Sequence, residues 1–146
     1  MKAEVVTATP AHLDELMANL RPECLADLKA SGWADLRALR DACVLTEMTA
    51  ILLGGKVATI VGTTGNEAWV LSTTLPIQHP VEFLKVSKVF ARAAMGTREK
   101  LTNYVHAAFR SSVSWLRWLG AEIGPPEPRG PAGDLFHRAT LRRERL

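Results

Sequence analysis

The sequence is poor in the residues that most often announce a function. Only two cysteines occur, Cys24 and Cys43. Two thiols so far apart make neither a disulfide framework nor a zinc site. They are expected as reduced, buried side chains in a cytoplasmic compartment. The four histidines, His12, His79, His106 and His137, are scattered, and no pair has a short ligand spacing, so no metal centre is expected. There is no Gly-x-Ser-x-Gly elbow, P-loop or dinucleotide fingerprint, which removes the enzyme classes those motifs carry. No apolar run approaches the ~20 residues of a membrane span. The opening segment MKAEVVTATPAHLDEL holds Glu4 and Asp14 without a continuous apolar stretch, and does not read as a signal peptide.

What is present is ordinary for a soluble globular chain: 146 residues, 47% hydrophobic and 23% charged, enough for a single domain over 1–146 with a real core. The net charge is only +3, and much of the excess sits in a basic tail, 141–146, through Arg142, Arg143 and Arg145. These arginines offer a contact for nucleic acid or another acidic surface, and a solvated terminal cluster is the simpler account. Aromatic and basic residues do not interleave elsewhere, so nucleic acid is not an expected partner.

Periodicity supplies an order of elements. Lys2 to Thr7, with Val5 and Val6, reads as a strand. Thr9-Pro10 offers an N-cap hydroxyl and a proline at the first helical position, and Leu13, Leu16 and Met17 then form one helical stripe. Pro22 opens a second helix with Leu25 and Leu28, ended by Ser31-Gly32. Trp33 to Ala42 makes a third, with Leu36 and Leu39 facing inward. Val44 to Leu53 and Lys56 to Thr63 flank Gly54-Gly55 and predict a hairpin. Gly65-Asn66 turns into another strand, Ala68 to Thr73. From Pro80 a helix runs to Met95 with Phe83, Ser87, Phe90 and Ala94 on one face and Leu84, Ala91 and Met95 beside it; Gly96 caps it. Leu101 to Phe109 is a strand and Ser111 to Leu119 a helix stopped by Gly120. Gly124 to Gly133 is a loop, and Leu135 to Leu141 a last strand. This order implies an α+β (three-layer α/β) domain: a mixed, mostly antiparallel central sheet with helices on both faces.

That order, and above all the segment LTNYVHAAFRSSVSWLRWLGAEIGPP, resembles the GCN5-related N-acetyltransferase (GNAT) family. Within it, the Asn103-Tyr104-Val105 run, the S-x-x-W-L-R-W-L-G-A pattern and Phe136-His137-Arg138 are similar to GNAT-like relatives of internal virion protein A in short-tailed phages. The resemblance implies a fourth and fifth strand that part to admit acetyl-coenzyme A. It places cofactor contacts at Leu71, Ser72, Thr73, Thr74 and Gln78, and at Ser111, Ser112 and Trp115 on the last helix. It also implies a host setting: the cytoplasm of an infected cell, or packaging in the virion.

Two departures stand against chemistry. Enzymes of the family hold the cofactor pyrophosphate with an Arg/Gln-x-x-Gly-x-Gly/Ala loop, where amides at a helix N-terminus face the anion. Here the matching stretch, Ser72 to Phe83, has no glycine, and Pro76 and Pro80 remove two donors. Counting back from Gly120, Phe109 occupies the family's Asn position. Leu116 stands where many members carry a tyrosine acid, and leucine cannot donate a proton. The remaining catalytic candidates are Glu47 and Glu67 as bases and His106 for proton transfer. The carboxylates equally suit solvated strand edges, and the histidine a half-buried structural role. Trp115 is expected in the core and Trp118 nearer the parted strands. Two functions therefore stand side by side: an acetyl-CoA-dependent N-acetyltransferase acting on a host protein or small amine, and a catalytically degenerate scaffold serving as a virion component or host-protein-binding factor.

Overall fold

The computed structural model describes residues 1–146. The first part of the chain runs β1 (Ala3–Thr7), α1 (Pro10–Ala18), α2 (Pro22–Ala30), α3 (Leu36–Val44), β2 (Glu47–Leu53), β3 (Lys56–Thr64) and β4 (Glu67–Ser72). It continues through α4 (Leu75–Gln78), α5 (Pro80–Met95), β5 (Lys100–His106), α6 (Arg110–Leu119), β6 (Glu122–Ile123), β7 (Glu127–Arg129) and β8 (Asp134–Arg142). One mixed sheet joins all strands in the order β1-β2-β3-β4-β5-β8-β6, with β7 also paired to β8. Every pairing is antiparallel except β4 with β5. The expected mostly antiparallel sheet with helices on both faces is what forms.

Local sequence explains most of these elements. The Thr9 hydroxyl accepts from the His12 amide at 3.3 Å while His12 Nδ1 accepts from the Thr9 amide at 3.0 Å, a reciprocal cap at the start of α1. Gly54 and Gly55 take the positive φ of the tight turn between β2 and β3, at 58° and 80°. Alternation along the strands then sorts the core into two layers. On one face α5 and α6 cover Ile51, Ala58, Leu101, Val105 and Ala139. On the other, α1 and α3 cover Ala50, Val57, Ile60 and Leu71.

Ser87 couples the two helices of the first face. Its buried hydroxyl donates to the Phe83 carbonyl at 2.7 Å and accepts from the Trp115 indole at 3.1 Å. Trp115 also packs on Phe83 and Phe90, with ring centroids 5.4 and 6.3 Å away.

Several expectations shift. Leu25 and Leu36 are surface-exposed, because α2 and α3 turn Cys24, Leu28, Leu39 and Cys43 inward instead. Leu84 likewise lies 38% exposed at the edge of the α5 stripe. A helical turn, α4, occupies part of the stretch between Thr73 and Pro80 for which the sequence pattern gives no element, and β7 forms inside the Gly124–Gly133 segment by pairing with β8. Trp118 is 47% exposed on the outside of α6, 5.3 Å beneath the Lys88 ammonium, rather than near the parted strands.

Gly62 of β3 lies under the indole of its cross-strand partner Trp69, so that a Cβ there would run into the ring. Gly62→Ala is therefore expected to lower stability by about 1–3 kcal/mol, the usual cost of overpacking a filled site. Chemical denaturation checks this, and an unchanged midpoint would show that Trp69 moves aside freely.

Candidate functional site

The site follows from the one parallel pairing. β4 and β5 share a single registered pair, Glu67 with Thr102, at the starts of the two strands. There the Thr102 amide donates to the Asn66 carbonyl at 2.8 Å. Beyond it the strands part, and their facing edges carry N–H and C=O groups that the ladder no longer satisfies. Buried groups of this kind need partners.

Helix α2 lies across the opening and provides them. The Arg21 amide donates to the Ser72 carbonyl at 3.1 Å, and the Ser72 amide donates to Cys24 Sγ at 3.4 Å. On the other side, the His106 amide donates to Asp27 Oδ2 at 2.9 Å. One helix thereby ties the end of β4 to the end of β5. Since backbone direction alternates along a strand, Val70 turns its own N–H and C=O toward the gap as Ser72 does.

The buried Arg21 side chain completes the closure. Its guanidinium pairs with Glu23, lies 4.9 Å over the Phe109 ring and donates to Ser111 Oγ at 3.4 Å. The open end of the strands is therefore bridged to the start of α6. Behind this bridge is a cleft of about 280 Å³, walled by α2, α3, β4 and β5. Its exposed lining residues, Ser31, Trp33 and Ala42, place the mouth between the α2–α3 connection and α3. On the opposite face of the sheet a cavity of about 50 Å³ lies under α5 and α6, and Ala68, Val70 and Asn103 line both spaces.

The candidates named from sequence are distributed over this region unevenly. Leu71 and Ser112 line the large cleft, and Trp115 lines the small cavity. Ser72 and Ser111 are held together by Arg21. Thr73 is buried, with its hydroxyl donating to the Val57 carbonyl at 3.1 Å and its amide to the Ala58 carbonyl at 3.0 Å. Thr74, the cap of α4, and Gln78, its last residue, are exposed.

Glu47 and Glu67 start β2 and β4, at the paired end, and neither lines the cleft, although their neighbours Thr46 and Ala68 do. The Glu47 carboxylate faces Arg98 at 3.3 Å. His106 lies at the open end, but its ring is turned away. Nδ1 accepts from the Ala108 amide at 3.1 Å, Nε2 sits 3.6 Å from Asp134, and Phe136 packs edge-on at 5.2 Å. Leu116, where the resemblance implies an acid, is a buried core residue.

Asp27 was not singled out in the sequence, although it shares the helical stripe of Cys24, Leu28 and Ser31. It lines the cleft, and burial raises its pKa above the ordinary 3.8, opposed by the His106 amide, the His106 charge and the Ser31 hydroxyl. The two thiols also border the cleft; burial pushes each up to about 11, so neither is a ready nucleophile. No three His, Cys, Asp or Glu side chains are grouped to hold a metal ion, and no helix is long and apolar enough to cross a membrane.

No protein-family profile matches the sequence, and no curated protein matches it. Solved structures do match. An N-acetyltransferase from Staphylococcus aureus Mu50 superposes with TM-score 0.71 at 10% identity, over 97% of this chain and 99% of that one. The yncA acetyltransferase from Salmonella typhimurium, with its cofactor acetyl-CoA, gives 0.67 at 12% identity over 97% and 94%. A GNAT superfamily phosphinothricin acetyltransferase from Sinorhizobium meliloti, in complex with AcCoA, gives 0.63 at 17% identity over 98% and 88%. The chain has the GNAT-like fold. At such identities the likeness carries architecture, and chemistry must be argued from the site.

The residues at the expected pyrophosphate position do not fit that group. α4 closes its own hydrogen bonds: the Ile77 and Gln78 amides donate to the Thr74 carbonyl at 3.0 and 3.2 Å, and the His79 amide donates to the Leu75 carbonyl at 2.9 Å. Pro76 and Pro80 have no amide hydrogen, Glu82 adds negative charge to the first turn of α5, and no Lys or Arg occurs from Ser72 to Leu84. An anion there meets few free donors and an opposing charge.

The Asp27 shift has a definite sign. A carboxyl whose folded pKa lies above its unfolded one binds more protons in the native state, so stability falls as pH rises from about 3.8 through the raised value. Asp27→Asn keeps an acceptor for the His106 amide and removes the charge. Its thermal midpoint is expected to match or exceed the parent's at neutral pH, with the advantage disappearing below pH ~4. A midpoint lowered at neutral pH but not in acid would reverse this assignment.

Proposed function

We propose that this protein uses the GNAT-like scaffold for binding rather than for acetyl transfer from acetyl-CoA, as a phage virion component or a factor that engages a host protein. The observation that carries this reading is α4. A self-satisfied helical turn, with prolines at its second position and just beyond it, stands where amides for a pyrophosphate are required. Arg21 adds to it, because its buried guanidinium bridges the open end between β4 and α6. The buried, apolar Leu116 supports the same reading, having no proton for a departing thiolate. The phage setting rests on the likeness of Asn103–Val105 and of the α6 segment to virion-protein relatives, and the host cytoplasm and the particle are the two places that setting offers.

A second reading, N-acetyl transfer to a small amine or a protein amine, is favoured by one feature. The strands part as they do in this fold, and the cleft between them holds a desolvated carboxylate, Asp27, able to take a proton from an amine.

Calorimetric titration with CoA and acetyl-CoA separates the two. The binding reading expects no heat and no thermal shift at millimolar ligand, together with the protein's presence in purified virions by mass spectrometry or a specific host partner in pull-down. Saturable CoA binding would overturn it in favour of transfer. Absence from particles combined with absence of any host partner would remove both proposed roles.

A further inference from the structure

The cleft beside α2 combines features that the scaffold alone does not require. Of the nine aromatic residues in the chain, four line this one space: Trp33, Trp69, Tyr104 and Phe109. Trp69 is fixed, its indole N–H donating to Thr46 Oγ1 at 3.1 Å, with Gly62 packed against the ring. Trp33 stands at the mouth, 38% exposed. Tyr104 and Phe109 each already carry a guanidinium on one face, from Arg129 at 3.6 Å and Arg21 at 4.9 Å. Trp33 and Trp69 hold no such cation, so their rings are the ones left to receive a ligand's charge.

Asp27 is the one acidic side chain in the lining. Its oxygens accept only neutral donors, the His106 amide and the Ser31 hydroxyl, and it enters none of the protein's ion pairs. A half-buried carboxylate outside any ion pair is costly, and burial raises its pKa against the partial relief of the His106 charge. The rest of the lining is mostly apolar, including Leu28, Leu39 and Val105. A strongly hydrated metal ion would gain little from such walls, whereas a weakly hydrated organic cation would gain both charge compensation and apolar contact. At about 280 Å³ the space is near the lower limit for small-molecule pockets.

We propose that this cleft is a binding site for a methylated organic ammonium ion, with Asp27 compensating the charge and Trp33 and Trp69 taking the methyl groups. The cation is held without covalent chemistry. A quaternary ammonium has no nitrogen lone pair to accept an acyl group, so the proposal requires no acetyl transfer, although it uses the same cleft and the same Asp27 as the second reading. The ligand comes either as a free quaternary amine or as a trimethylated lysine side chain of a protein.

The experiment uses the full chain and calorimetric or NMR titration with choline, and with a short peptide carrying trimethyllysine. Saturable binding of at least one is expected, with the response centred on the Trp33 and Trp69 indole signals; which of the two binds identifies the source. Dimethylbutanol, the neutral carbon isostere of choline, is expected to bind about tenfold or more weakly, and Asp27→Asn to weaken the cation by about tenfold while remaining folded. Trp33→Leu, at the exposed mouth, is expected to weaken it several-fold without moving the thermal midpoint. The proposal is overturned if neither cation binds in the millimolar range, or if the neutral isostere or Asp27→Asn binds equally well. CoA titration is read separately, so this site and the binding reading can fail independently.

Discussion

The structure turns on the parting of β4 from β5 after a single registered pair. Separating two strands inside a domain exposes backbone donors and acceptors on both edges, and burying those groups unpaired would cost more than the domain can spare. Helix α2 meets that demand by lying across the gap, with Arg21 and Cys24 serving Ser72 and Asp27 serving His106. Its other features follow from that position. Asp27 must be partly desolvated to reach the strand, Arg21 must be buried to bridge to α6, and Cys24 must sit between the layers.

The same arrangement separates scaffold from chemistry. The fold of the acetyl-CoA-bound structures from Salmonella and Sinorhizobium is shared by this chain, whose own sheet parts between β4 and β5. At the positions where the resemblance implies an anion-binding loop and a proton donor stand α4 and Leu116, each satisfied within the protein's own packing. What remains open is the side of the cleft toward α3, where aromatic walls surround an acid that enters no ion pair.

Local signals were legible wherever a neighbour in the chain decides the structure. The Thr9-Pro10 cap, the Gly54-Gly55 hairpin, the Gly65-Asn66 turn and the buried face of α5 all depend on contacts a few residues apart, and all appear as the patterns imply. The same holds for the core role of Trp115, whose helical phase points it at Ser87 and Phe90. The phase of short helices was less legible. α2 and α3 are nine residues each, too short for periodicity to choose between Leu25 and Cys24, or between Leu36 and Cys43, as the inward residues.

By itself, the sequence determined the order of the main elements, the class of sheet and the missing glycine loop, because turns, caps and alternation are properties of neighbouring residues, but it did not mark α4, β6 or β7. Only the tertiary structure decided that β7 pairs, that Trp118 faces outward beneath Lys88, and that Glu47 and Glu67 lie at the closed end of the strands. It alone brought Asp27 of α2 to the edge of β5, where no pattern in either segment announces the other. The physical reason is the gap itself: its unpaired edges can be satisfied only by groups distant in the chain, and their partners become visible only when the sheet has formed.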